Sequence, residues 1–461
     1  MEQKALSTEL KSSIEVLSAW IESRMAYKGL PGVAAGIIYD QKLVWSKGFG
    51  YADVANQKPV TEQTLFRIAS ITKLFTSTAL LILRDEGKLQ LDDPVSKHLP
   101  WFQVNQDPDT PPVLLKHLIT HTSGLPRESA FPYWSTAEFP TYDEVKEALS
   151  GQKQVWEAGK RWKYSNLAVS LAGNVVAAAS GMPYEDFIEQ RIFQPLGMTG
   201  SFIRTLPQDH PLFAVGYGRR MPDGSRSLRP FGDCKGIIPA ANIATSLEDL
   251  AKFAMLQFGT QPVGGKQILS KYTLEEMHTL HWLDEDWQMG WGWGFEVLRR
   301  KGKTFVGHGG SLMGFRTNLM FNPEEKIAVI TLTNADDGEP ALINERVYDW
   351  LSPAVLKQFA PKPEKKAANP EWQKLVGRYR SPWGDMQILI LNDDLVAIDP
   401  SLDDPLEAVT RLIPIGENRF RIEDKGGFGS AGEETIFEFD QNGKVSRVIS
   451  GMSYTYPIEQ W

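Results

Sequence analysis

The sequence predicts an α/β chain of the α+β kind: one sheet assembled from distant strands with helices beside it, an inserted all-helical lobe, and a separate small β-barrel or curved sheet at the end. Three observations predict it. Apolar, strand-like runs stand at 33–50 and again at 292–334, with a mainly helical stretch at 110–260 between them. Amphipathic helical patterns bracket those runs near both ends. Finally, PKPEKKAANP (361–370) has the composition of a linker, and the pattern beyond it changes to short strands.

In order along the chain, Leu10, Ile14, Leu17, Ile21 and Met25 recur every three or four residues, which is one face of a helix stopped by Gly29 and Pro31. VAAGIIYD (33–40) and KLVWSKGFG (42–50) then read as a hairpin. A second helix is expected from near Ser70 to Glu86, ending at Gly87. Ile71, Leu74, Phe75 and Ala79 to Leu83 leave it apolar on nearly every side, the mark of a helix buried in mid-domain. Strands follow at 292–299, 303–308, 315–321 and 326–334, and a closing helix at 341–358 should pack beside the first. Strands so far apart in sequence imply one sheet assembled from distant pieces. Beyond the linker, MQILIL, DLVAI, LIPIG, RFRIED, TIFEFD and KVSRVIS alternate with turn signals, Asn442-Gly443 the strongest. The expected division is therefore 1–360, a linker at 361–370, and a barrel at 371–461.

Composition narrows the function. The 461 residues carry a formal net charge of −8, which disfavours a phosphate backbone as partner. A single cysteine, Cys234, excludes an internal disulfide and a cysteine-based zinc cluster. Glu2, Glu9, Lys11, Glu15 and Glu22 interrupt any signal-peptide run, and no stretch is long and apolar enough to span a membrane. A cytoplasmic protein acting on a small molecule or short peptide is expected, with no cofactor or metal and with room for homo-oligomerisation.

Three motifs carry chemistry. Ser70-Ile71-Thr72-Lys73 places a serine and a lysine three apart, on one face at the start of the buried helix. There the helix end adds positive potential, and burial lowers the lysine pKa so that its amine can take the serine proton. The same pattern at Ser150-Gly151-Gln152-Lys153 lies in a polar stretch and reads as surface loop. Tyr164-Ser165-Asn166 opens another apolar stretch: a phenol beside an ammonium ionises more easily and shuttles protons, and an Asn amide orients a substrate carbonyl. An ordinary helix cap explains the same three residues. Gly307-His308-Gly309-Gly310-Ser311 ends a strand, and its glycines let an acyl group lie along the edge, with the Ser311 and Ser70 N–H groups as an oxyanion hole. A tight turn with an exposed histidine is the alternative.

Together the three resemble the serine β-lactamase and penicillin-binding protein superfamily, whose signature is S-x-x-K, Y-x-N and a strand triad, in this order. The resemblance is to its β-lactamase-related branch of class C β-lactamases, family VIII esterases and D-aminopeptidase-like hydrolases. It extends to Phe66-Arg67-Ile68-Ala69, His121-Thr122-Ser123-Gly124-Leu125 and Pro195-Leu196-Gly197-Met198, and spans about residues 10 to 350. It implies the β-lactamase/transpeptidase fold, an antiparallel sheet flanked by helices plus an all-helical lobe, with a lipocalin-like trailing β-barrel, and an acyl-enzyme on Ser70 with Lys73 and Tyr164 sharing proton transfers. Asn166, His308, Gly310 and Ser311 would hold the substrate. An ester or amide hydrolase is expected, with a β-lactamase, a penicillin-binding sensor or an acyltransferase as alternatives on the same site. Two departures stand out: His308-Gly309-Gly310 replaces Lys-Thr-Gly, and Pro239-Ala240-Ala241-Asn242 replaces a segment with paired glycines.

Other signals are set aside. Gly427-Phe428-Gly429-Ser430-Ala431-Gly432 fits a dinucleotide loop but precedes a strand rather than a helix, and His117 and His121 bracket Leu118 where a zinc protease needs glutamate.

Overall fold

The computed structural model describes residues 5–107, 109–260, 265–287, 289–361, 367–423 and 430–460. Most of the linker (362–366) and Gly427-Phe428-Gly429 lie outside them. The chain forms two compact units, Met1–Ala360 and Pro361–Trp461.

The first unit is built on a nine-stranded sheet, and its centre joins the two ends of the unit's sequence. Strand Gly32–Tyr39 pairs antiparallel with Ile327–Thr333, from Val33 opposite Thr333 to Tyr39 opposite Ile327. Outward from that pair lie Lys42–Asp53 on one side, and Phe315–Asn322, Lys303–Leu312 and Glu296–Arg300 on the other. Alternation along the central strands sorts their side chains into two cores. Val33, Ala35, Ile37, Ile327 and Val329 join the core under helices Thr8–Lys28 and Pro340–Phe359. Ala34, Ile38, Ala328, Ile330 and Leu332 face the helical lobe. With both faces covered, these strands read as unbroken apolar runs. Each fully buried aliphatic chain contributes roughly 1.5–3 kcal/mol.

The first helix ends as its sequence implies. Gly29 takes φ 62°, and its N–H reaches back to the Ala26 and Met25 carbonyls. The helix carrying Lys73 runs from Thr72 to Asp85 after a 3₁₀ turn at Ala69–Ile71, and twelve consecutive residues, Thr72 to Leu83, are buried. It therefore starts two residues later than the sequence suggests. The expected strand at 292–299 begins only at Glu296, because residues 292–295 form a turn in which the Gly292 N–H donates to Phe295 O. The turn fits against the lysine helix: a Cβ on Gly294 would sit 2.0 Å from Ser77 Oγ.

The second unit is a closed barrel of eight antiparallel strands. Two of them, Gly377–Ser381 and Ser453–Pro457, are additional to the six runs read from sequence, and they close the barrel by pairing with each other. Among the described residues, no single helix is long and apolar enough to cross a membrane.

Candidate active site

The nucleophile candidate sits on a strained turn. Ala69, immediately before Ser70, is buried at φ 51°, a left-handed conformation that costs a non-glycine residue of order 1–3 kcal/mol. The surroundings hold it there. Thr317 Oγ1 donates to Ile68 O at 3.0 Å, and the Ile68 N–H donates to Ile243 O. Gly310 lies against the same turn, where a Cβ would come within 2.1 Å of Thr317 Oγ1 and 2.2 Å of Ile68 O. Only glycine lets the strand lie this close.

Lys73 is almost completely buried, at 1% exposure. Its Nζ donates to Ser70 Oγ at 3.1 Å and to Ala240 O at 2.8 Å. Burial pulls its pKa from 10.5 to about 7; the nearby Glu128 carboxylate holds it up and Arg127 presses it down. The Pro239-Ala240-Ala241-Asn242 segment, unexplained by sequence, supplies that carbonyl. It is anchored by Thr76 Oγ1 donating to Pro239 O (2.6 Å) and by Arg67 donating to Asn242 Oδ1 (2.9 Å).

Tyr164 stands beside this pair, its ring close to two basic side chains: Lys73 Nζ lies 5.0 Å and the Arg127 guanidinium 4.9 Å from its centroid. Burial raises the phenol pKa above its ordinary value, and the nearby Ser70 side chain offsets only part of that rise. The expectation that a neighbouring ammonium eases its ionisation is thus overturned, because desolvation is the larger effect here. Ser165 caps helix Asn166–Ser180 by accepting from Ala168 N, as the cap reading of Tyr164-Ser165-Asn166 expects.

Ser70, Tyr164, Asn166, Gly310 and Ser311 line one cleft of about 1000 Å³, together with Arg127, Trp162 and Arg316. One wall is an open strand edge. Glu296–Arg300 pairs with Lys303–Leu312 only as far as Gly307, which leaves 308–312 without a strand partner on that side among the described residues.

His308 is placed differently from the sequence expectation. It does not line the cleft and is only 6% exposed. It packs behind Tyr164 (6.1 Å between centroids) and edge-on to Trp291 (5.6 Å). Its Nδ1 lies 2.5 Å from Gly309 O, so Nδ1 carries the proton and Nε2 is left buried without a partner among the described residues. Burial lowers its pKa to about 3. It is a neutral ring in an aromatic box with His121, Trp162, Tyr164 and Trp291, not a substrate-facing hydrogen bond.

The sequence reading missed three contributors. His121, set aside as a zinc ligand, is 4.3 Å from the Tyr164 ring, and its Nδ1 accepts from Ser165 N. Trp291 closes the box, donating to Ile119 O. Glu128 accepts from Asn166 Nδ2 on both oxygens, at 2.8 and 3.1 Å, and also from the Tyr133 hydroxyl. The signal for His121 was its place in His121-Thr122-Ser123-Gly124-Leu125; Glu128 has no local pattern.

The family model described as Beta-lactamase matches residues 17–352. Beta-lactamase-like protein 2 of Dictyostelium discoideum is 29% identical over 331 residues, covering 70% of this chain and 59% of that one. The chain thus spans less than two thirds of that relative. Protein flp of Staphylococcus aureus (strain NCTC 8325 / PS 47) is 27% identical over 350 residues, covering 74% of this chain and 68% of its own. Among solved structures, the octameric penicillin-binding protein homologue from Pyrococcus abyssi superposes with a TM-score of 0.63 at 26% identity, covering 96% of this chain and 99% of that one. With a strained serine turn, a buried lysine and a matching family model over most of its length, this chain belongs to the Beta-lactamase family.

Proposed function

We propose that the protein is a serine hydrolase that forms an acyl-enzyme on Ser70 from an ester or an amide. One observation carries the reading: a lysine amine with a pKa near 7 is held 3.1 Å from a serine hydroxyl at the wall of an open cleft. Neutral Lys73 takes the Ser70 proton as Oγ attacks the carbonyl carbon. The N–H groups of Ser70 and Ser311 receive the developing oxyanion. As the tetrahedral intermediate collapses, the C–O or C–N bond breaks and a proton returns to the leaving group through the protonated Tyr164, refilled from Lys73. Water then repeats the sequence on the acyl carbonyl and frees Ser70. The unpaired edge at 308–312 would hold an extended acyl chain by main-chain hydrogen bonds.

A second reading, acylation by a β-lactam, is favoured by Arg316. It faces Ser311 in the strand register and lines the cleft. Among the described residues its side chain hydrogen-bonds only Asp336 O, at 3.1 Å, leaving charge for a carboxylate that buried His308 does not serve. A panel of p-nitrophenyl esters, aminoacyl amides and a chromogenic cephalosporin, run on wild type and Ser70→Ala, tests both. Turnover of esters or amides that Ser70→Ala abolishes, together with loss of fluorophosphonate labelling, is the expected result. Turnover or labelling that survives Ser70→Ala removes the reading. A cephalosporin kcat/KM above every ester and amide moves it to β-lactamase.

A further inference from the structure

A second cavity lies behind the segment that holds Lys73. It measures about 390 Å³, the small end of the range for ligand cavities, and shares no lining residue with the cleft. One short helix, Ile238–Ala241, divides the two: Ala241 lines the cleft, whereas Ile238 and Pro239 line the cavity. The facing walls carry Trp101 and Tyr142, edge to face at 6.0 Å between centroids, and Tyr184. Close packing fixes the Pro239 side of the cavity. A Cβ on Gly173 would come within 2.2 Å of the Pro239 ring and 3.3 Å of Tyr184 Cδ2.

Hydrogen bonds tie this wall to the base. Thr76 Oγ1 gives its single hydrogen to Pro239 O at 2.6 Å, so the Tyr184 hydroxyl, 2.7 Å away, donates to Thr76. The next carbonyl, Ala240 O, accepts from Lys73 Nζ at 2.8 Å. In its neutral form that amine keeps an N–H for Ala240 O while its lone pair meets the Ser70 hydroxyl, 3.1 Å away. The carbonyl therefore aims the base.

The polar groups on the cavity wall specify an occupant. Lys235 and Asn174 both line it. Among the described residues the Lys235 ammonium makes no ion pair and the Asn174 amide makes no side-chain hydrogen bond. Both are N–H donors suited to a carboxylate. A further cation, Lys146 Nζ, lies 5.5 Å from the centroid of the Trp101 ring. Glu185 is the acidic group on the wall. Aromatic walls and a small volume suit a molecule of one or two flat rings.

We propose that this cavity is an effector site for a small planar aromatic carboxylate, and that its occupation raises the acylation rate of Ser70 by holding Ala240 O against Lys73. The proposal rests on the acyl-enzyme reading above and adds regulation to it. A ligand shifts an equilibrium only through its preference for one arrangement. The cavity is formed in the arrangement where Ala240 O holds Lys73, so an occupant packed on Ile238 and Pro239 favours that arrangement over any in which the segment has moved.

The test pairs calorimetry, using indole-3-acetate, indole and tryptamine, with the rate of fluorophosphonate labelling of Ser70. Indole-3-acetate should bind with a Kd of about 1 mM or tighter, the affinity expected of a ligand this small. Saturation should raise the labelling rate about fivefold. Lys235→Met should weaken indole-3-acetate about tenfold, and the half-activating concentration should rise by the same factor, with indole unaffected. Ala178→Trp, which fills the cavity from its exposed rim, should abolish binding and activation while the basal rate stays within about twofold. If Ala178→Trp does not fold, the Lys235→Met shift decides the point. No saturable binding up to about 10 mM overturns the site. So does tighter binding of tryptamine than of indole-3-acetate, which assigns the polar contact to Glu185. Binding that leaves the rate flat or lowers it overturns the coupling, as does activation that persists in Ala178→Trp. Absence of Ser70 labelling with and without ligand instead defeats the acyl-enzyme reading, and calorimetry still decides whether the cavity binds.

Discussion

Two segments of this chain carry the same four-residue pattern in opposite surroundings. Ser70-Ile71-Thr72-Lys73 enters a helix at its N-terminal end, inside the largest apolar core of the molecule. Ser150-Gly151-Gln152-Lys153 leaves a helix, with Ser150 as the C-terminal cap of Tyr142–Leu149 and both Ser150 and Lys153 exposed. At the first, the helix end offers positive potential, and burial strips water from the ammonium. At the second, the helix end is the negative one and solvent keeps the lysine hydrated. Spacing alone makes neither a nucleophile nor a base. What distinguishes them is the desolvation of Lys73 and the strain at Ala69.

The comparison breaks most readily at the lysines. Lys73→Ala should lower kcat by at least ~10², while Lys153→Ala should leave it within about twofold. Tyr164→Phe should lose a similar factor, and the Lys73→Ala/Tyr164→Phe double variant little more than the worse single, because the two act as a unit. Comparable losses from Lys73→Ala and Lys153→Ala in steady-state assays would erase the distinction.

A smaller effect sharpens the role of the turn. Gly310→Ala puts a methyl group where Thr317 Oγ1 and Ile68 O already stand, so the strand must retreat from the serine turn. Overpacking of this kind costs about 1–3 kcal/mol, and the rate of Ser70 labelling should fall about tenfold or more. Unchanged labelling kinetics would mean that the close approach does not shape the site.

Much of this was legible in sequence where a local pattern reports its environment. The lysine helix announced its burial because it is apolar on every side. The hairpin and the central strands followed from short apolar runs, and the first helix from its three-to-four-residue periodicity. The side-chain placement of His308 was not legible, since glycines at 307, 309 and 310 leave no alternating pattern to show which face of the strand is buried. Glu128 was not legible either: its partner Asn166 lies 38 residues away, and only the folded chain brings them together. Trp162 and Trp291 carried no sequence signal of a shared site, because an aromatic box needs five rings from four separate segments. The barrel's first and last strands escaped notice because Gly377–Ser381 and Ser453–Pro457 are short, polar and stabilised by each other.

The central claim is that desolvation makes Lys73 a base at neutral pH, and the pH dependence of Ser70 acylation tests it most directly. The rate of fluorophosphonate labelling, measured by rapid quench from pH about 5 to about 10.5, reports the state of the lysine in the free enzyme. Because the neutral amine is the active form, the rate should climb about tenfold per pH unit at low pH and level off above a midpoint near 7, the value to which burial brings Lys73. A profile flat across that range, or one still climbing toward a midpoint near the ordinary lysine value of 10.5, would contradict the account.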